Sequence, residues 1–375
     1  VEVHKPEKKV EYLELIYDLI FVFVIGRNNQ LLHHTADGFI SGEAFTEYLV
    51  CSLAVIQIWS FTAYYINIFG RNGIREHISL FLNMFLMYFM ADGLGGSDSG
   101  RFVNYHAAWA LILINIGMQY IIELRHSGGN KALRTQLLRM AFPLFGTAAL
   151  AAAAIPVKLL TDTDISWTAI AFGIAVSFIA GRKAGESRID FMHLTERAML
   201  YVVFTFGEMI IGLAGYFEGG TEPESLYFAV MGFLIITALF LSYETLYDRI
   251  VDRSLENNGL TYIMIHVFLV FALGSITAAL EFMRMDNISL IPKLAFLVGS
   301  LLLYYLCLFL LGMYAKKKCR FSGRFAAVMT GSALAFAGLM FLLRENMKAN
   351  ILLTVIYVFS VFAVLYRIGR DSSEE

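Results

Sequence analysis

The chain has 375 residues, 58% of them hydrophobic and 16% charged, with a formal net charge of −2. Soluble domains carry roughly 25% charged and roughly 45–50% apolar residues, so this composition excludes an ordinary soluble enzyme and a disordered chain. The near-zero charge leaves no basic field for nucleic acid, and the apolar runs lack the two-residue alternation of barrel strands. A helix needs about 20 apolar residues to cross the hydrocarbon core. Twelve segments have that character, near residues 13–34, 44–69, 76–95, 102–124, 134–155, 165–181, 194–216, 225–247, 259–281, 293–314, 325–343 and 349–367. The expectation is an all-α, polytopic transmembrane helical bundle with short connections.

Taken in chain order, the first span carries Glu11, Glu14 and Asp18 at intervals of three and four, which places them on one helix face. Arg27 follows nine residues after Asp18 and points to the opposite side of an ideal helix. The second span offers Gln57, Trp59, Tyr64 and Asn67. The fifth holds Pro143 and Pro156, where a kink is expected, and an Ala-rich stretch, Ala148–Ala154, read as close helix packing. Ser166 marks the start of the sixth helix and Glu224 with Ser225 the start of the eighth. The seventh span brings His193, Glu196 and Arg197, then Tyr201 and Glu208 on one stripe. Glu208 stands between Gly207 and Gly212, a spacing expected to let another backbone approach. The eighth adds Tyr243, Glu244, Tyr247 and Asp248. Asp92, His106, Glu123, His266 and Glu281 fall nearer to span ends, and of these Asp92, Glu123 and Glu281 read as interfacial.

With the N-terminus placed in the cytoplasm, 21 Lys and Arg fall in inside segments and six in outside segments, while Arg27 and Arg197 lie within spans. The inside set includes Lys5, Lys8, Lys9, Lys183, Arg188 and the run Lys316–Lys318, read as a topology determinant. Both termini are expected in the cytoplasm. The motif around Glu14 precedes that around Glu196 by 182 positions, and Gly26 precedes Gly207 by 181. These offsets point to two six-helix halves of the same orientation, residues 1–190 and 191–375, against the alternative of chance alignment between short apolar helices. Cys51, Cys307 and Cys319 show neither disulfide nor zinc spacing. There is no Walker A loop and no HExxH, so no catalytic motif, metal set or cofactor is expected.

At these residues the chain resembles the bacterial low-temperature-requirement A family. That family opens on roughly Glu-Leu-Phe-Phe-Asp-Leu-Val-Phe-Val-Phe. Here the run is Glu14-Leu15-Ile16-Tyr17-Asp18-Leu19-Ile20-Phe21-Val22-Phe23. Its second motif, roughly His-x-x-Glu-Arg with a later Gly-Glu, is matched by His193-Leu194-Thr195-Glu196-Arg197 and Gly207-Glu208. The Trp59 to Asn67 stretch is also similar. Ala198-Met199-Leu200 departs from the family's Gly-containing triplet, and Gly70 stands where an Asp is frequent. The resemblance implies a polytopic inner-membrane protein and no settled activity, since the family is named for a growth phenotype.

A charge at the bilayer centre costs roughly 2.5–3.5 kcal/mol on insertion scales, so intramembrane ionisable groups must face protein, water or one another. Static ion pairs that fix helix order would satisfy this. So would a functional cavity, which the number of such groups favours. The leading expectation is a secondary transporter, ion- or proton-coupled, of a small solute. Glu14, Asp18, Glu196, Glu208 and Glu244 would couple the ion or proton, with Glu208 the most sensitive and Arg27 its expected partner. Arg27, Arg197, Trp59, Tyr64, Asn67, His193 and Tyr243 would line the path or gate it. The alternative is an intramembrane enzyme or lipid-handling protein, with Glu14, Asp18, His193, Glu196, Arg197, Glu244 and Asp248 as a site at the cytoplasmic interface. Membrane lipids and a small-molecule or lipid substrate are the partners implied, and a homo-oligomer is compatible with either reading.

Overall fold

A computed structural model describes residues 10–33, 35–36, 38–93, 99–182, 189–217, 222–257, 259–285 and 288–371. Lys5, Lys8, Lys9, Lys183 and Arg188 of the charge count lie outside the described residues. Twelve α-helices run along the described chain: α1 (Tyr12–Asn29), α2 (Gly42–Phe69), α3 (Ile74–Asp92), α4 (Ser99–Arg125), α5 (Lys131–Thr161), α6 (Ser166–Arg182), α7 (Phe191–Gly212), α8 (Pro223–Thr245), α9 (Leu260–Arg284), α10 (Leu290–Leu311), α11 (Gly323–Leu342) and α12 (Met347–Asp371). Every expected apolar segment is a helix. A two-residue ribbon, β1 (Thr35–Ala36) with β2 (Phe39–Ile40), pairs antiparallel.

Ten of the helices are long and apolar enough to cross a membrane. The two that fall short are α3, which opens on Arg75, Glu76 and His77, and α6, which has 17 residues. The outward face of α3 nevertheless carries the mark of a lipid-facing helix. It buries Glu76, Ser79 and Asn83 while Phe81, Phe85 and Tyr88 stand 54–59% exposed. Polar groups inside and aromatic groups outside invert the arrangement water would select, and hydrocarbon selects it. With ten such helices, the chain is a multi-pass integral membrane protein.

Contacts divide the chain into two compact units. The first takes residues 1–34, 42–201 and 256–267, so it holds α1 to α6 with the opening turns of α7 and α9. Here α1 packs on α2 and α3, α4 joins α3 to α5, and α2 touches α4 and α6. The helix α5 continues through Pro143 and Pro156, which span-type helices tolerate where neighbours satisfy the freed carbonyls. Ala148, Ala151 and Ala154 are buried, in keeping with close packing through small residues. The second unit takes residues 35–41, 202–255 and 268–375. In it α8 packs on α12, α12 on α11, and α11 on α10. Its ribbon is tied down by Ser289 N, which donates to Gly38 O at 2.6 Å.

Several local expectations meet the backbone directly. Ser166 opens α6, and its hydroxyl bonds Asp164 and, at 2.6 Å, His106 Nε2. The start of α8 moves two residues upstream of Ser225, to Pro223 behind Glu222, because proline suits the first helical position. Cys319 is buried at 1% exposure, as are the other two cysteines.

Two glycines with opposite surroundings give a test of this packing. A Cβ on Gly93 would meet Arg101 O and Tyr105 Cβ at 2.8 Å, where α3 ends against α4, whereas one on Gly207 would meet nothing within 4 Å. Gly93→Ala is expected to lower stability by about 1–3 kcal/mol, since the atoms in the way belong to backbone and Cβ. Gly207→Ala should be neutral or stabilising by about 1 kcal/mol, through helix propensity. Thermal unfolding in detergent reads both, and equal losses would show that the α3–α4 approach is looser than described.

Candidate functional site

The site begins with helix periodicity. Glu14 and Asp18 are one turn apart on α1, and His193, Arg197 and Tyr201 follow at the same interval on α7. Within the first unit these two stripes face each other and run parallel. Asp18 Oδ1 accepts from Arg197 Nη2 at 2.6 Å and from Trp59 Nε1, on α2, at 2.9 Å. Glu14 Oε2 lies 3.1 Å from Arg197 Nε and 3.6 Å from His193 Nε2. Tyr201 stacks on Trp59 with ring centroids 4.4 Å apart. Asp18 and Arg197 are 0% exposed and Glu14 is 2% exposed. An arginine this deep is costly unless carboxylates surround it.

The orientation of His193 follows from its neighbours. Asn67 on α2 bridges the backbone of Asp190: its Oδ1 accepts from Asp190 N at 3.1 Å and its Nδ2 donates to Asp190 O at 2.8 Å. That double bond fixes the amide, so the Nδ2 that lies 3.0 Å from His193 Nδ1 is a donor there. The imidazole nitrogen Nδ1 therefore accepts and carries no proton. His193 is the neutral tautomer with its proton on Nε2, the nitrogen facing Glu14. Asp190 also caps α7, accepting from His193 N at 3.0 Å through its side chain.

A second polar group lies on the same unit. Arg75 of α3 reaches Glu123 of α4 at 2.5 Å and Tyr65 Oη at 3.0 Å, and Arg71 stands 3.5 Å from Glu123. Glu76 accepts from the backbone N of Arg71 and Gly73. Glu123, expected near a span end, is 5% exposed and is the ion-pair partner of Arg75 and Arg71. Between the two groups, Tyr17 Oη lies 3.1 Å from Thr62 Oγ1 and accepts from Asn83 Nδ2 at 3.4 Å, and Asn83 accepts in turn from Asn115 at 2.8 Å. A cavity of about 10 Å³ is lined by Thr62, Tyr65, Glu76, Ser79, Asn83 and Gln119. Its size admits roughly one water.

Of the expected site residues, Glu14, Asp18, Trp59, Asn67, His193 and Arg197 come together in this cluster. Tyr64 is buried on α2 outside it. Glu196, next to Arg197, is half-buried and has no ion pair among the described residues. Arg27 is exposed, opposite Asp18 as its spacing predicts, and donates to Gln30 at 3.0 Å, the neighbour it takes in place of the expected glutamate. In the second unit Glu208 is half-buried without an ion pair among the described residues, Tyr243 is buried, and Glu244 and Asp248 are exposed. The expected close backbone approach at Gly207 does not occur. Residues that the sequence reading passed over are Tyr17, Thr62, Arg75, Asn83 and Asp190. Asp190 had a signal, an acidic residue three before His193 at a helix start. The Arg75–Glu123 pair had none, being 48 positions apart. No group of three or more His, Cys, Asp or Glu among the described residues is arranged to hold a metal ion.

Arg197 stands between the two carboxylates, 2.6 Å from Asp18 Oδ1 and 3.1 Å from Glu14 Oε2. Asp18 holds the two shortest contacts and Glu14 the longer ones. Asp18→Ala, which strips Arg197 and Trp59 of an acceptor together, is expected to cost about 3–5 kcal/mol. Glu14→Gln, which keeps the shape of a protonated carboxyl, should cost less than about 1.5 kcal/mol. Unfolding of both variants in detergent measures the difference, and comparable losses would contradict the asymmetry.

The family model for the bacterial low temperature requirement A protein (LtrA) matches residues 9–364. No curated protein and no solved structure matches the chain. The opening stretch with Glu14 and Asp18 and the later stretch with His193 and Arg197 both fall inside the matched region, and they are the two halves of the buried cluster. By a match that covers nearly its whole length, the chain belongs to the LtrA family.

Proposed function

We propose that the protein is a proton-coupled secondary transporter of a small solute, with Glu14 as the residue that takes up and releases the proton. The observation that supports this reading is the make-up of the buried cluster: two carboxylates, Glu14 and Asp18, around the Arg197 guanidinium, with His193 Nε2 3.6 Å from Glu14. An ionised carboxylate in a dry interior is expensive, and a proton removes that charge. Glu14 is the site this reading assigns to that proton, because Asp18 already accepts from Arg197 Nη2 at 2.6 Å and from Trp59 Nε1 at 2.9 Å. His193 Nε2–H then faces the Glu14 carboxyl as a partner for the ionised form. The Tyr17–Thr62–Asn83 hydroxyl and amide chain, with the water-sized cavity beside Glu76 and Tyr65, supports a proton route toward the Arg75–Glu123 group. Acid–base chemistry on a lipid headgroup is less well supported, since a catalytic group must meet its substrate and Glu14, Asp18, His193 and Arg197 are 0–2% exposed. Glu208 and Arg27 fall outside the cluster, and in this reading they have no share in the proton step. The two six-helix halves, residues 1–190 and 191–375, would move against each other.

Purified protein in liposomes containing a trapped pH dye tests the coupling. Addition of the transported solute from a panel of small anions, cations and neutral metabolites should acidify the lumen, and Glu14→Gln should abolish the signal while the protein remains folded. A Glu14→Gln protein that still couples solute to protons would remove Glu14 from the mechanism, and no flux with any solute would remove transport.

The same reading places the protein in the cytoplasmic membrane with both termini inside, on the Lys/Arg bias. Cys319 cannot report this, being buried. Lys317 is exposed on the same loop. A Lys317→Cys variant should resist an impermeant maleimide added to intact cells and react in inverted vesicles; the reverse pattern would invert the topology.

A further inference from the structure

In the second unit the loop from α10 to α11 and the last turns of α12 enclose a groove of about 630 Å³. Its wall carries Lys318, Arg320 and Arg367, its floor Phe321, Phe325 and Val364, and Ser322 lies at its rim. The volume is within the roughly 300–1,000 Å³ typical of small-molecule sites. Among the described residues neither Arg320 nor Arg367 has a carboxylate within ion-pair distance. The loop is held in place: Lys316 Nζ and the Cys319 thiol both donate to Arg249 O, Cys319 N donates to Lys316 O at 2.9 Å, and Phe321 stacks on Phe325 at 4.6 Å. Three cations on two separate elements are therefore presented by a fixed frame, not by a loose tail.

The surroundings say which anion they suit. α11 is the least buried of the spanning helices, with 17% of its apolar window inside the protein, and α12 has 33%. Val328 and Val364 stand 60% and 39% exposed on these two helices. The groove thus joins a cationic end directly to an apolar, lipid-facing surface. A free phosphate would use only the first of these features. The geometry points to a binding site for an anionic phospholipid, its phosphate held by Lys318, Arg320 and Arg367 and its acyl chains laid along Phe321, Phe325 and Val364. Ser322 Oγ, which accepts from Phe325 N at 3.1 Å as the cap of α11, can still donate its proton to a phosphate oxygen. Arginine forks suit phosphate oxygens, and each cation near an anionic headgroup adds to retention.

The test compares matched pairs of charge removals in the full chain. Arg320→Gln with Arg367→Gln empties the groove of two cations, and Lys317→Gln with Arg324→Gln removes two exposed charges from the same region that do not line it. Each protein is equilibrated with vesicles of phosphatidylglycerol and phosphatidylcholine, stripped in detergent, and the retained lipid is counted by native mass spectrometry. The wild type and the control pair are expected to keep phosphatidylglycerol in preference. The groove pair should lose about ten-fold of that preference, with its thermal unfolding unchanged. Equal loss in the two pairs would overturn the site in favour of general surface charge. Undiminished retention by the groove pair would overturn it as well. Displacement of the lipid by inorganic phosphate at equal concentration would show an anion site without a lipid.

Discussion

An arginine withdrawn from both water and lipid sets the terms for the first unit. Arg197 is 0% exposed and among the largest fully buried side chains. Desolvating a guanidinium costs several kcal/mol, repaid only if acceptors of good geometry are already in place. Two helices supply and orient them: α1 gives Glu14 and Asp18, while α2 gives Trp59 to orient Asp18 and Asn67 to orient His193. The rotation of α1, the pairing of α1 with α2 and the depth of α7 all follow from meeting that one charge. An even spacing of four residues on both α1 and α7 makes the match possible in parallel helices.

The same cluster shows how a stabilising contact and a functional one can share residues. The Asp18–Arg197 pair is short and has a second donor in Trp59, which suits a fixed element. Glu14 sits at the edge of that pair with longer contacts and a neutral imidazole beside it. Structural glue and functional site, opposed as alternatives at the level of sequence, are in the proposed reading neighbouring carboxylates one helical turn apart.

The surface obeys the solvent it faces. On α3 and α11 large apolar side chains point outward and the polar residues of α3 point in. At the α10–α11 loop cations take over, and the groove lined by Lys318, Arg320 and Arg367 adjoins the apolar side chains of α11 and α12. Basic residues at such an edge serve topology through their number, but the position of three of them around one groove is an additional fact that a charge count does not contain.

All twelve helices were legible in the sequence because each is a long apolar run, and hydrocarbon leaves the backbone little other choice. The shared face of Glu14 and Asp18, the stripe of His193, Arg197 and Tyr201, and the opposed placement of Arg27 were legible too, since helical periodicity alone decides them. Tertiary structure decided the rest. It joined Arg197 to Asp18 across 179 positions and Arg75 to Glu123 across 48, distances at which periodicity carries no information. It also placed Glu14 beside Arg197 and left Glu208 without an ion pair among the described residues. Sequence determines which residues share a helix face; only packing determines which faces meet, and charge balance is a property of the meeting.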